Sequence, residues 1–135
     1  MRDMPFKSTI RIPSEVLDAI VALTELTTTL AVETAMEAGR HDAYGDPEVA
    51  SARLTQLATG AGVATGEVAF LAEELDCTAV DDDQRADAAV AIAGLQATMA
   101  SAAIAVQQTG RFRDSATALR RSAEYLDGPL AVVRP

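Results

Sequence analysis

The sequence predicts an all-α protein, an up-down antiparallel four-helix bundle of three long helices and one short, with a short extended N-terminal arm. Three observations carry that reading. Apolar residues recur at alternating steps of three and four in four separate segments, which is helical spacing. Asp, Pro and Gly punctuate the boundaries between those segments. About half of the 135 residues are hydrophobic and 23% are charged, a globular composition rather than a disordered one. One domain of this size buries roughly two-thirds of the surface of its unfolded chain, enough to build a core without disulfide or metal. The expected division is an arm over residues 1–13, a bundle over 14–127 and an extended tail over 128–135.

From Ser8 onward the arm alternates polar with apolar, placing Ile10 and Ile12 on one face and Lys7, Thr9 and Arg11 on the other. That is a short strand signal or an extended arm. Pro13 stops it, Ser14 suits an N-cap, and Glu15 suits the first turn beside the helix dipole. The first helix is expected from about Glu15 to Glu37, with Val16, Ile20, Leu23, Thr27, Leu30 and Thr34 on one seam. Its many threonines lower intrinsic helicity, so packing must compensate. Gly39 ends it.

Asp46-Pro47-Glu48 is a helix start. From there Leu54, Leu57, Ala61, Ala64, Val68, Leu71 and Leu75 keep register through Gly60, Gly62 and Gly66. A loop is not expected to preserve register, so a single helix is predicted from Pro47 to Asp76, weakened by its glycines but able to approach its neighbours closely. Asp81, Asp82 and Asp83 offer the next N-cap. Ala88, Ile92, Leu95, Met99, Ala102 and Val106 form the third seam, to about Gln108. Phe112, Ala116, Leu119, Ala123 and Leu126 form a shorter fourth, which Gly128-Pro129 is expected to terminate.

Composition excludes much chemistry. The single cysteine, Cys77, forbids an internal disulfide, and the single histidine, His41, rules out sites that need two imidazoles. The net charge is −9, which argues against a phosphate-binding surface over the whole molecule. Met1 to Ile12 holds no apolar stretch of a secretory signal, and the expected location is cytoplasmic.

Candidate motifs fail on spacing. The Gly60-Ala-Gly-Val-Ala-Thr-Gly66 run lacks the Lys-Ser/Thr of a phosphate loop, and Glu67 follows it. Asp82, Asp83 and Asp87 have the spacing of a magnesium-diphosphate motif but no second motif. Glu33 with Glu37, and Glu67 with Glu73 and Glu74, do not match the spacings of helical carboxylate metal sites. His41 has no nucleophile nearby in sequence, and Cys77 reads as a small apolar residue. Tyr44 and Glu48 fit the Tyr-x-x-x-Glu pattern of type VII secretion substrates, but the companion Trp-x-Gly turn cannot exist without tryptophan. No enzyme, cofactor or metal is therefore expected. The uncharged run from Ala88 to Gly110 is long enough to span a bilayer, but Gln96, Thr98 and Ser101 interrupt it, and a buried central helix is expected instead.

The chain from Phe6 to Ile20, with Lys7-Ser-Thr-Ile-Arg-Ile-Pro-Ser-Glu-Val-Leu, resembles the opening of ribbon-helix-helix DNA-binding proteins. The resemblance implies a strand that pairs with a second chain and carries Lys7, Thr9 and Arg11 outward to the major groove. The pattern departs beyond Ile20, where that family turns after a short helix and the first helix here runs on.

The favoured reading is a non-catalytic bundle that acts through protein–protein association, as an adaptor, inhibitor or accessory subunit, and that self-associates, a dimer being favoured. Val90, Ala97 and Ile104 form a second apolar stripe on the third helix, and Val63, Phe70 and Cys77 form one on the second. A soluble monomer rarely exposes large apolar patches, and a two-fold dimer is the commonest cover. The competing account is a central third helix whose back is wrapped by the arm, the fourth helix and the tail. Arg111, Arg113, Arg120 and Arg121 form a basic cluster for an acidic partner or for acidic helices of the same bundle. Two other functions stay open: DNA binding through the arm, and a small-ligand pocket among Thr27, Thr34 and Gln96.

Overall fold

The computed structural model describes residues 13–40, 47–78 and 80–134. The described chain is helical, with no strand among these residues: α1 (Pro13–Gly39), α2 (Pro47–Asp76), α3 (Asp82–Gln108), α4 (Arg113–Tyr125) and α5 (Asp127–Val133). The expected arm, including Lys7, Thr9 and Arg11, lies outside the described residues, as does His41.

The helix starts follow local chemistry. α1 begins at Pro13, so Ser14 sits inside the first turn rather than capping it. α2 runs unbroken through its three glycines. α3 is closed by a capping box: the Asp81 carboxylate accepts the Gln84 N–H at 2.8 Å, and the Asp81 N–H donates to Gln84 Oε1 at 3.4 Å. That arrangement satisfies two amides that the helix itself leaves open. Gly110 at φ +73 and Phe112 at φ 54 turn the chain back into α4. A left-handed non-glycine residue costs about 1–2 kcal/mol, and the half-buried Phe112 side chain offsets it by packing on the core.

The tail departs from expectation. Residues 128–133 are helical rather than extended: after a single αR residue, Leu126, the chain enters α5, and only Arg134 is extended. Pro129 falls in the first turn of that helix, where its missing N–H has no intrahelical partner to lose. Leu130 and Val133 are buried against the bundle.

The core is one apolar cluster from all five helices, with Ile20, Leu54, Leu75, Ile92, Leu95, Met99, Leu119 and Leu126 fully enclosed. Leu57 and Leu71 are buried as well, so all four seams face inward. The threonines that weaken α1 are reconciled with burial by bonding to their own helix. Thr27 Oγ1 donates to the Leu23 carbonyl at 2.6 Å and Thr34 Oγ1 to the Leu30 carbonyl at 2.7 Å, so neither hydroxyl is orphaned.

The order of helices around the bundle differs from a simple ring. α1 packs on α2 and α3, while α4 and α5 pack on α2 and α3, so α2 and α3 are diagonal to each other. Leu30 approaches Gly60 while Glu33 reaches Arg53, so α1 and α2 run antiparallel. Val32, Ala35 and Met36 share a groove with Ala97, Ser101 and Ala105, which places α1 beside α3. The up-down antiparallel bundle expected from the sequence would set successive helices, α2 and α3 among them, side by side. Residues 77–81 span up to about 17 Å when extended, and the diagonal of helices packed 8–10 Å apart is only about 11–14 Å. The connection is therefore long enough to cross.

The glycines of α2 are also not there for close packing. A Cβ built on Gly60 would meet Leu30 Cδ1 at 3.7 Å, one on Gly62 would meet Ser122 Oγ at 3.7 Å, and one on Gly66 would meet nothing within 4 Å.

Candidate functional site

α3 positions the first candidate surface. Its seven buried residues, from Ala88 to Val106, all lie on one side. Val90, Ala97 and Ile104 recur at seven-residue steps and point away from that side, because seven residues return a helix to within about 20° of its start. Val90 is 73% exposed and Ile104 56%, so neither α4 nor α5 wraps the back of α3. Beside this stripe runs an apolar groove between α1 and α3, lined by Val32, Met36, Ala97, Ser101, Ala102 and Ala105. The contribution of α1 was not visible in sequence, because it depends on α1 and α3 being neighbours.

The stripe on α2 is also open: Val63 is 63% exposed, Phe70 is 68% exposed, and the Cys77 thiol is exposed and free. Because α2 and α3 are diagonal, the two stripes lie at opposite corners of the bundle and cannot form one patch. Their surroundings differ in charge. Phe70 sits one turn from Glu67, Glu73 and Glu74, whereas the α3 stripe lies in the uncharged run from Ala88 to Gly110.

The basic cluster divides. Arg111, Arg113 and Arg120 border an open cleft of about 470 Å³ with Gln107, Gly110, Ala116 and Thr117. Arg121 instead faces α2, beside Gly62, Thr65, Gly66, Ser122 and Tyr125. The expectation that these arginines pair with acidic helices of their own bundle does not hold among the described residues: Arg120 meets Glu124 of its own helix at 3.9 Å, and the other ion pairs are Glu33–Arg53 and Asp76–Arg85.

The polar pocket expected from Thr27, Thr34 and Gln96 does not assemble. Both hydroxyls are engaged within α1. Gln96 Nε2 donates to the Ala123 carbonyl at 2.8 Å and to Asp127 Oδ1 at 2.7 Å, clasping the junction of α4 and α5. A similar clasp, missed in sequence, is Arg85: Nη2 bonds Asp76 Oδ1 at 2.7 Å and Nη1 bonds the Val132 carbonyl at 3.1 Å. Neither pairing has a local sequence signal, since each joins segments made adjacent only by the fold.

Among the described residues no group of three or more His, Cys, Asp or Glu side chains is placed to hold a metal ion. α3 is long and apolar enough to cross a membrane by length and composition, while its Ile92, Leu95 and Met99 are enclosed in the core. The α1 helix continues for 27 residues without the turn that a ribbon-helix-helix resemblance implies. Comparison with protein-family models, with curated proteins and with solved structures finds no match.

Proposed function

We propose that this protein acts without catalysis, as a self-associating helical bundle that presents a surface to protein partners. One observation carries the reading: Val90 and Ile104 stand 73% and 56% exposed in the middle of a long uncharged stretch of α3. Apolar surface of that kind is unfavourable in water and marks an interaction site. The charged flanks of the molecule keep it from associating indiscriminately, since a net charge of −9 makes copies repel one another elsewhere. An adaptor, an inhibitor or an accessory subunit is the form this takes: a rigid bundle that holds its faces in place.

Light scattering coupled to size exclusion at tens of micromolar tests the reading. A mass twice that of the 14.1 kDa chain is expected. Ile104→Glu should return the mass to that of one chain while leaving helicity intact, because Ile104 lies outside the core. A monomeric wild-type protein at that concentration overturns self-association.

A further inference from the structure

We infer that the second copy docks on α3 in one register: α3 pairs antiparallel with α3 of its partner about a two-fold axis through Ala97. This rests on the self-association reading above and adds the geometry.

The seven-residue series does not stop at its apolar members. Extended one step back from Val90, it reaches Asp83 in the first turn of α3; forward it ends at Ile104, because Gly110 at φ +73 turns the chain out of the helix before Arg111. Asp83, Val90, Ala97 and Ile104 are all exposed. The apolar part of the series is self-complementary when one copy is reversed: with Ala97 on the axis, Val90 meets Ile104 of the other copy, twice. A parallel pairing would set Asp83 against Asp83, which repel.

Charge around the ends supports the same choice. Asp81, Asp82, Asp83 and Asp87 crowd the N-terminal end of α3, while Arg111 and Arg113 border the cleft at the other end. Reversal brings the acidic end of each copy to the basic end of the other. These arginines have no ion pair with another helix of their own bundle among the described residues, so both keep their charge available. The stripe on α2 lacks this acidic-to-basic order along its own helix, because Glu67, Glu73 and Glu74 flank Phe70 on both sides. A small residue at the axis lets the two backbones approach.

The area is sufficient. The 27 residues of α3 rise about 40 Å. Adding the flank of α1, where Val32 and Met36 are exposed, widens the face to two helices, about 20 Å. The product, about 800 Å² per copy, is the size of a standard stable interface.

Cysteine cross-linking in the full chain tests the register, in a Cys77→Ser background. Ala97→Cys should oxidise to a disulfide dimer in high yield, because the two thiols meet on the axis. Val90→Cys alone should not, since two copies of it lie about 21 Å apart along the antiparallel pair, well beyond disulfide reach. A mixture of Val90→Cys and Ile104→Cys chains should form the heterodisulfide. Circular dichroism verifies that each outward-facing variant remains helical.

A wild-type dimer in which Val90→Cys self-links, or Ala97→Cys does not, refutes the register while leaving self-association standing. A wild-type monomer refutes both. A monomer that co-floats with phosphatidylcholine vesicles also refutes both and assigns the face to lipid.

Discussion

Replacing the three glycines of α2 with alanine should stabilise the protein, and the structure sets the size of the gain. Each glycine in a helix interior costs about 1 kcal/mol relative to alanine, because its unfolded backbone has more freedom to lose. The gain is realised only if the new methyl group has room. A Cβ at Gly66 meets nothing within 4 Å, and at Gly60 and Gly62 it meets one side-chain atom each at 3.7 Å, an ordinary van der Waals contact. Gly66→Ala should therefore show the full gain, Gly60→Ala and Gly62→Ala at least most of it, and the triple variant about 2–3 kcal/mol. For a chain of this length that raises the melting temperature by about 8–12 °C. Thermal and urea unfolding followed by circular dichroism at fixed protein concentration measures it, since association would otherwise shift the midpoint. Destabilisation by any single substitution would refute the reasoning: either α2 is not continuous there, or a neighbour lies closer than described.

Leu95→Ala should cost about 2–5 kcal/mol by the same unfolding assays, because Leu95 is enclosed by the core. Asp81→Ala removes the capping box and should cost about 1 kcal/mol, with faster amide exchange confined to the first turn of α3. Gln96→Leu should release the α4–α5 junction, read as faster hydrogen exchange at Leu130 and Val133 while the α1–α2 pair is unchanged. Chelator should leave the melting temperature where it was, and a fall of more than a few degrees would point to a structural metal.

The helices were legible because the strongest signals are local and redundant. α2 shows this best: the seam from Leu54 to Leu75 holds register across three glycines that invite a loop, and the helix spans Pro47–Asp76 as the spacing requires. The tail misled because Gly128-Pro129 carries the same letters whether it ends one helix or opens the next. Which of these happens is decided by Leu126 staying in the αR region and by core space for Leu130 and Val133. The order around the bundle was not legible either, since residues 77–81 can reach both the adjacent and the diagonal position. The same limit applies to the candidate surface. The Val90–Ala97–Ile104 stripe follows from periodicity, but the groove with Val32 and Met36, and the clasps of Gln96 and Arg85, exist only once helices distant in sequence have docked.

The diagonal crossing makes the chain two hairpins: α1 with α2, and α3 with α4 and α5. Within each, contacts are short-range in sequence and close early at low entropic cost. Between them, α1 rests on α3 and α2 on α4 and α5, so each hairpin supplies half of a shared interior. The chain can thus be regarded as a covalently tethered heterodimer. Cut within residues 77–81, it should yield two pieces that are each poorly folded alone and recover helicity on mixing. Arg85 then holds the seam, since it belongs to the second piece and grips Asp76 of the first.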